Sequence, residues 1–444
     1  MKHLFILVIG IQSILYQELP ALSKPNVVFI IADDLGWADV GFHAGSAPTP
    51  NIDRLAREGL EFTQHYVAPV CSPTRAGFLT GRTWSRFGIT SPTNTRALPP
   101  NTCTLAQALG TQGYQTCLVG KWHLGSKPEW GPNHYGFDHS YGSLAGGVTS
   151  KSHRYKKGPF SITWHRNEKL LEEAGHVTDL LTAEAVKWIS RRSNEESFFL
   201  YVPYTAVHLP INEPVAWVEK VPASITTDIA RHYAACVMHL DDGVGQILAA
   251  LDEKGFRNNT IVVFTSDNGG SQVTNTTQPY PFDDSPKGNL TASNDPLRSG
   301  KGTVYEGGTR VPTLVSWPGY IRARKETTAV SIVDWMPTFC HLAGYTPKHD
   351  LKWDGLDLTA LLLDGTPLPE RPIYTPAPRW KAMSLRLGHW KLVVREELKP
   401  ELYNIRNDPS ETTDLAAREP DRVQSMLAAL RTARASDNDS VAKR

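Results

Sequence analysis

Asn26-Val27-Val28-Phe29-Ile30-Ile31-Ala32-Asp33-Asp34 decides how the chain is read. Asn26 to Ile31, apolar from Val27 onward, has the pattern of a strand buried on both faces. It gives way at once to two carboxylates. The same switch recurs three times along the sequence. Thr116 to Val119 runs into Gly120-Lys121-Trp122-His123, Phe198 to Val202 leads towards His208, and Ile261 to Thr265 leads into Ser266-Asp267-Asn268. Helical segments separate these runs: Asn51 to Glu58 (ended by Gly59), Asp179 to Ser190, and Ala230 to Lys254. Strands alternating with helices predict an α/β fold with a largely parallel sheet covered by helices on both faces. In such sheets the ligand crevice lies beyond the carboxyl ends of the strands. Four strands would therefore bring Asp33, Asp34, Lys121, His123, His208, Asp267 and Asn268 to one edge.

Away from these runs the texture changes at both ends. Lys2 and His3 precede an apolar stretch from Leu4 to Leu15 and then Ala21-Leu22-Ser23, the order of a signal peptide over residues 1–23. The stretch is shorter than the about 20 residues a membrane-spanning helix needs. Export after signal removal is expected, to a secreted or periplasmic location, or a lysosomal one in a eukaryote, with no stable membrane insertion. A catalytic unit is expected over residues 24–345. Beyond it, Pro367 to Pro378, short strands at Ala382–Leu387 and Lys391–Val394, and a helix from Glu419 to Ala435 read as a smaller α+β subdomain over 346–444, with a stabilising role. The formal net charge is +1 and no long basic run occurs, which argues against a nucleic-acid or anionic-membrane binder.

Two groups of residues carry chemistry. Asp33-Asp34 and Asp267-Asn268 offer three carboxylates and an amide oxygen, and carboxylates so clustered repel unless a cation lies among them. Oxygen ligands alone suit Ca²⁺ or Mg²⁺ rather than zinc. The second group is Val70-Cys71-Ser72-Pro73-Thr74-Arg75-Ala76-Gly77-Phe78-Leu79-Thr80-Gly81-Arg82. Pro73 suits a first helical turn, so the helix is expected to begin just after Cys71 and to set that residue at its positive end. Arg75, one turn in, would point back to the same end. Taken singly, each residue also has an ordinary reading: an Asp closing a turn, a cysteine in a disulfide, a solvated Lys121 or Lys301, a core His123 or His208. The five cysteines, Cys71, Cys103, Cys117, Cys236 and Cys340, leave at least one without an intramolecular partner, and Cys103 with Cys117 is a plausible pair by spacing.

The pattern Cys71-x-Pro73-x-Arg75 followed by Leu79-Thr80-Gly81-Arg82 resembles the signature of the type I, formylglycine-dependent sulfatases. The resemblance runs over nearly all of the mature chain. Asn26 to Asp34 is similar to the family's first strand and first two metal ligands, and Ser266-Asp267-Asn268-Gly269-Gly270 to the second pair. Gly120-Lys121-Trp122-His123-Leu124-Gly125 resembles the segment that supplies a sulfate-binding lysine and a histidine. His208 in Ala206-Val207-His208-Leu209-Pro210 stands where the family has its leaving-group histidine, and Lys301 in Gly300-Lys301-Gly302-Thr303 where it has its last sulfate-binding lysine. The wording is nearest to the arylsulfatase B, or N-acetylgalactosamine-4-sulfatase, branch.

This resemblance implies an alkaline-phosphatase-like fold and sulfate-ester hydrolysis on a sulfated carbohydrate, a glycosaminoglycan or algal galactan fragment. It implies that a formylglycine-generating enzyme converts Cys71 to formylglycine during export. It further implies one Ca²⁺, or Mg²⁺, held by Asp33, Asp34, Asp267, Asn268 and the group at position 71. Arg75, Lys121 and Lys301 would then meet the sulfate, with His123 and His208 as proton carriers. Two rival readings stand beside this one: a phosphate or phosphonate ester hydrolase on the same scaffold, and an inactive carbohydrate-binding homologue. Segments 143–170 and 271–298 are the expected specificity loops.

Overall fold

The structure is a computed structural model that describes residues 24–441 apart from 279, 282 and 397. The signal peptide expected over residues 1–23 lies outside the described residues. No helix among the described residues is long and apolar enough to cross a membrane.

The strands in chain order are β1 Asn26–Ala32, β2 Leu60–Tyr66, β3 Gln115–Lys121, β4 His139–Ser143, β5 Trp164–Arg166, β6 Lys169–Leu170, β7 Phe198–Pro203, β8 Thr260–Ser266, β9 Arg310–Ser316, β10 Arg324–Glu326 and β11 Val330–Ser331. They form one sheet in the order β10-β2-β9-β8-β1-β7-β3-β4-β5-β6, with β11 also on β2. Its centre, β8-β1-β7-β3-β4, is wholly parallel, as the alternation of strands and helices predicts. The observed strands run one or two residues further than their apolar runs, so Lys121 and Ser266 close β3 and β8.

Every residue of β1 is buried, and the pleat divides them between two cores. Val28, Ile30 and Ala32 face one core, whereas Val27, Phe29 and Ile31 face the other. That two-sided burial is why the run lacks polar alternation. The helices used below are α1 Pro50–Glu58, α2 Cys71–Thr80, α3 Leu105–Gly110, α4 Val177–Ser190, α5 Val215–Val218 and α6 Asp228–Glu253. Side chains of α1, α4 and α6 pack in the first core, and those of α2 and α3 in the second.

The division of the sheet into two faces overturns one sequence expectation. Cys117, on β3, points into the core under α4 and α6, whereas Cys103 packs against the opposite core. The sheet itself separates them, and none of the five cysteines is in a disulfide. Asn275, which begins an N-x-Thr sequon, is wholly buried and bonded through its amide to Ile211 and Pro286. It is closed to glycosylation in this fold.

Four more strands, β12 Ile373–Pro376, β13 Ala382–Leu387, β14 Trp390–Arg395 and β15 Glu401–Asn404, make a separate antiparallel sheet, against which helix Pro420–Arg434 packs. Its contacts are more specific than simple packing. Lys391 Nζ, on β14, reaches Glu306 at 2.8 Å and Glu411 at 2.9 Å with all three side chains buried. The Glu306 N–H donates to Glu411 at 2.6 Å, and Arg298 donates to Tyr403 Oη at 2.8 Å and to the Glu411 carbonyl at 3.2 Å. Arg298 and Glu306 flank Lys301, so the small sheet braces both ends of the loop that carries this lysine.

Candidate active site

The carboxyl edge of the parallel sheet gathers every residue singled out there by sequence. Asp33 and Asp34 follow β1, Lys121 ends β3, and Asp267 and Asn268 follow β8. Neighbouring strands hold them in step through the Asp33 N–H to Ala206 carbonyl bond (2.8 Å) and the Asp267 N–H to Ala32 carbonyl bond (3.0 Å). Asp34 and His123 both adopt left-handed backbone, at φ 66° and 56°. Such a backbone is uncommon outside glycine and marks sharp turns that aim these side chains inward.

Helix α2 begins at Cys71 itself, one residue earlier than Pro73 suggests, with Val70 as the extended residue before it. All ten of its residues are buried, so its polar side chains need partners inside the protein. Ser72 Oγ donates to the His123 carbonyl at 2.8 Å, and Thr74 Oγ1 to the Asp267 carbonyl at 2.6 Å. Arg75 donates to the Lys121 carbonyl at 2.6 Å and pairs with Asp267 at 2.7 Å. Ser72 and Thr74 are site residues that the sequence reading leaves out. Only the helical spacing after Cys71 hints at them.

Cys71 is 2% exposed, and its Sγ lies 3.2 Å from His123 Nδ1. Lys121 Nζ pairs with Asp33 Oδ2 and Lys301 Nζ with Asp34 Oδ2, each at 2.6 Å. Asn268 Nδ2 donates to Asp34 Oδ1 at 2.8 Å, and His208 Nε2 stands 3.8 Å from Asp34 Oδ2.

Burial and this crowd of charges set the protonation states. Asp33 is raised to about 7, by burial first and then by Asp267, with Lys121 opposing the rise. Burial would raise Asp34 too, but Lys301, His208 and Lys121 outweigh it and hold that carboxyl well below its usual range. Burial depresses His123, and Lys121 and Arg75 depress it further, so its ring is neutral. His208 is likewise held low, by burial and then Lys301, against the pull of Asp34. Burial raises the Cys71 thiol.

Two buried oxygens, Asp33 Oδ1 and Asn268 Oδ1, have no hydrogen-bond partner among the described residues. Buried acceptors left without donors cost free energy, and a hard cation satisfies both. With Asp34 and Asp267 beside them, the donor set is oxygen only, which fits Ca²⁺ or Mg²⁺.

A second cluster of ligand-type side chains among the described residues is His176, Glu213 and His239. Here a metal fits poorly. His176 Nδ1 accepts the Thr178 N–H at the start of α4, which leaves the ring proton on Nε2, where a ligand nitrogen must be bare. His239, on α6, lies between Glu213 (2.8 Å) and Asp179 (2.9 Å), with its ring stacked on His176 and Trp217. Burial pulls its pKa down, but the two carboxylates outweigh that and raise it to about 9. The unfolded value is about 6.5, so this pin stabilises the fold fully below that pH and loses its contribution as pH rises through about 9. Thermal melts from pH 6 to 9.5 should show a decline that is shallower in His239→Gln. An equal decline in both proteins would remove the pin from the account.

Comparison with known proteins places this site in a family. The family described as Sulfatase matches residues 25–345. Arylsulfatase J of Mus musculus is 32% identical, over 91% of this chain and 75% of its own length. N-acetylgalactosamine-6-sulfatase of Homo sapiens is 34% identical, over 80% of this chain and 68% of its own. Among solved structures, that of Ps i-CgsB in complex with k-i-k-neocarrahexaose has a TM-score of 0.84 at 32% identity, with 94% of each chain covered. The phosphonate monoester hydrolase of Agrobacterium radiobacter shares the fold, with a TM-score of 0.64 at 19% identity. The chain belongs to the sulfatase family and is a sulfuric ester hydrolase.

Proposed function

We propose that the chain removes sulfate from a galacto-configured sugar of a sulfated carbohydrate, with Cys71 matured to formylglycine and one divalent cation, Ca²⁺ before Mg²⁺. The sugar class rests on two similarities: to proteins named N-acetylgalactosamine-6-sulfatase and to a structure holding a neocarrahexaose. The observation that carries the chemistry is the convergence on Cys71 of His123, Lys121 and Lys301 around two unpartnered buried oxygens.

Asp33, Asp34, Asp267 and Asn268 would hold the cation, which when bound polarises a sulfate oxygen and lowers the proton affinity of a ligating hydroxyl. Formylglycine at position 71, as its hydrate, would supply a hydroxyl for attack on sulfur and a second one for the release of sulfate. The remaining roles fall to this chain's own side chains. Neutral His123, 3.2 Å from the position-71 side chain, can accept a proton there. Lys121, Lys301 and Arg75, each held by a carboxylate of the site, supply a positive field for the transferring group. His208 Nδ1 faces the Leu209 carbonyl and so carries a proton, leaving Nε2 towards the leaving oxygen. An arriving sulfate anion offsets the Lys301 charge that depresses His208, which raises the ring's affinity for the proton it would give up.

Mass spectrometry of the peptide spanning residues 70–82 tests the maturation. Formylglycine is about 18 Da lighter than cysteine, and an unmodified thiol in a host that matures other sulfatases would remove this mechanism. The cation has a separate test in calorimetry. A ligand bound only to the folded state stabilises by about 2.7 kcal/mol at a hundredfold excess over its Kd. Chelator should lower the melting temperature and Ca²⁺ should restore it. A melt indifferent to both would remove the cation.

A further inference from the structure

Two loops meet beside the reacting groups, one within 143–170 and one within 271–298. The carboxylate of Asp283 accepts the N–H groups of Lys151 and Ser152, each at 3.0 Å, and the Asp283 carbonyl accepts from Asn212. Where the loops touch, Tyr155 and Tyr280 pack edge to face with ring centroids 5.9 Å apart. Lys156 Nζ lies 5.5 Å from the centre of one ring and 5.9 Å from the other. Among the described residues Lys156 has no ion pair.

This corner adjoins the site. A methyl group on Gly146 would lie 3.0 Å from the His123 ring and 3.3 Å from Tyr155, so the two rings bracket one glycine. Asn94 Nδ2 donates to Tyr155 Oη at 3.4 Å. The Tyr280 hydroxyl is pushed well above its usual pKa, by burial first and then by its neighbours Tyr155, Asp33, Cys71 and Asp34. None of Tyr155, Lys156 and Tyr280 has a part in the chemistry described above.

We propose that Tyr155, Tyr280 and Lys156 form a subsite for the sugar next to the one being desulfated. The apolar face of that sugar packs on the half-buried Tyr280, which Tyr155 backs from the core, and Lys156 takes a second anionic group on it, a sulfate or a carboxylate. Aromatic faces suit the C–H faces of sugar rings, and an unpaired lysine is a compact charge for an oxyanion. The substrate is then an oligosaccharide with more than one anionic group, which deepens the sulfatase reading and rests on it.

Titration calorimetry on a Cys71→Ala parent tests this without turnover. The probes are kappa- and iota-carrageenan tetrasaccharides, with one and two sulfates per disaccharide, and a chondroitin disaccharide with its uronate free or methyl-esterified. The parent should bind the more highly charged member of one pair about tenfold more tightly, as a charge-assisted contact permits. A preference in the carrageenan pair names sulfate, and one in the chondroitin pair names carboxylate. Lys156→Gln in that parent should erase the preference, with a melting curve that matches the parent's. Unchanged affinities in Lys156→Gln, or no preference in the parent, would overturn the subsite. Lys156-dependent binding by a mature wild-type enzyme that cleaves no sulfate ester would instead overturn the sulfatase mechanism and leave the subsite standing.

Discussion

Cys71→Ala should abolish sulfate-ester hydrolysis while leaving the fold intact, with kcat at least about a thousandfold down. Alanine keeps the helical backbone at the start of α2 and removes one buried sulfur, whose polar neighbour is His123 Nδ1 at 3.2 Å. Ser72, Thr74 and Arg75 keep their own partners, so the charged cradle should survive around an empty centre. Activity against a sulfated oligosaccharide and a circular dichroism melt check the two halves together. Turnover within about tenfold of wild type would mean that the reacting group lies elsewhere.

Arg75→Leu should cost about 3–5 kcal/mol of stability, the usual result of stranding one member of a buried ion pair. The Arg75 and Asp267 side chains are 1% and 0% exposed, and their contact is 2.7 Å. Leucine fills much of the space but takes the Arg75 donors from Asp267 Oδ2 and the Lys121 carbonyl, leaving Asp267 only the Asp34 N–H on Oδ1. A cation on Asp267 would offset part of that loss, so the deficit should be larger in chelator than in Ca²⁺. Urea denaturation in both conditions measures it. A midpoint equal to wild type in chelator would show that Asp267 finds another partner.

The polar ends of the strands were legible because chemistry there interrupts a simple pattern. A strand buried on both faces is continuously apolar, so the step from Ile31 and Ala32 to Asp33 and Asp34 stands out. The helix at Cys71 was legible for a similar reason, since proline and the run to Gly81 punctuate it. What stayed hidden was partnership across long stretches of chain. Periodicity says that residues around Lys391 form a strand, and not that its amine is buried against Glu306, 85 positions earlier. The small sheet therefore read as a stabilising subdomain, although it grips the loop of Lys301. The same limit produced the Cys103–Cys117 expectation, because a short separation in sequence conceals the sheet between them. His239 gave no signal either, since Glu213 and Asp179 reach it from other elements.

The brace on the Lys301 loop also sets a schedule for making the protein. Lys391 and Glu411 leave the ribosome long after Cys71, which precedes Lys391 by 320 positions. At about 5–20 residues per second that interval is roughly a quarter of a minute to a minute. Once the fold closes, a side chain 2% exposed is beyond the reach of another enzyme. While the last strands are still unmade, the loop that carries Lys301 lacks this anchor. Under the proposed maturation, the 320 positions between Cys71 and Lys391 give a period in which Cys71 is processed before the brace on the Lys301 loop can form.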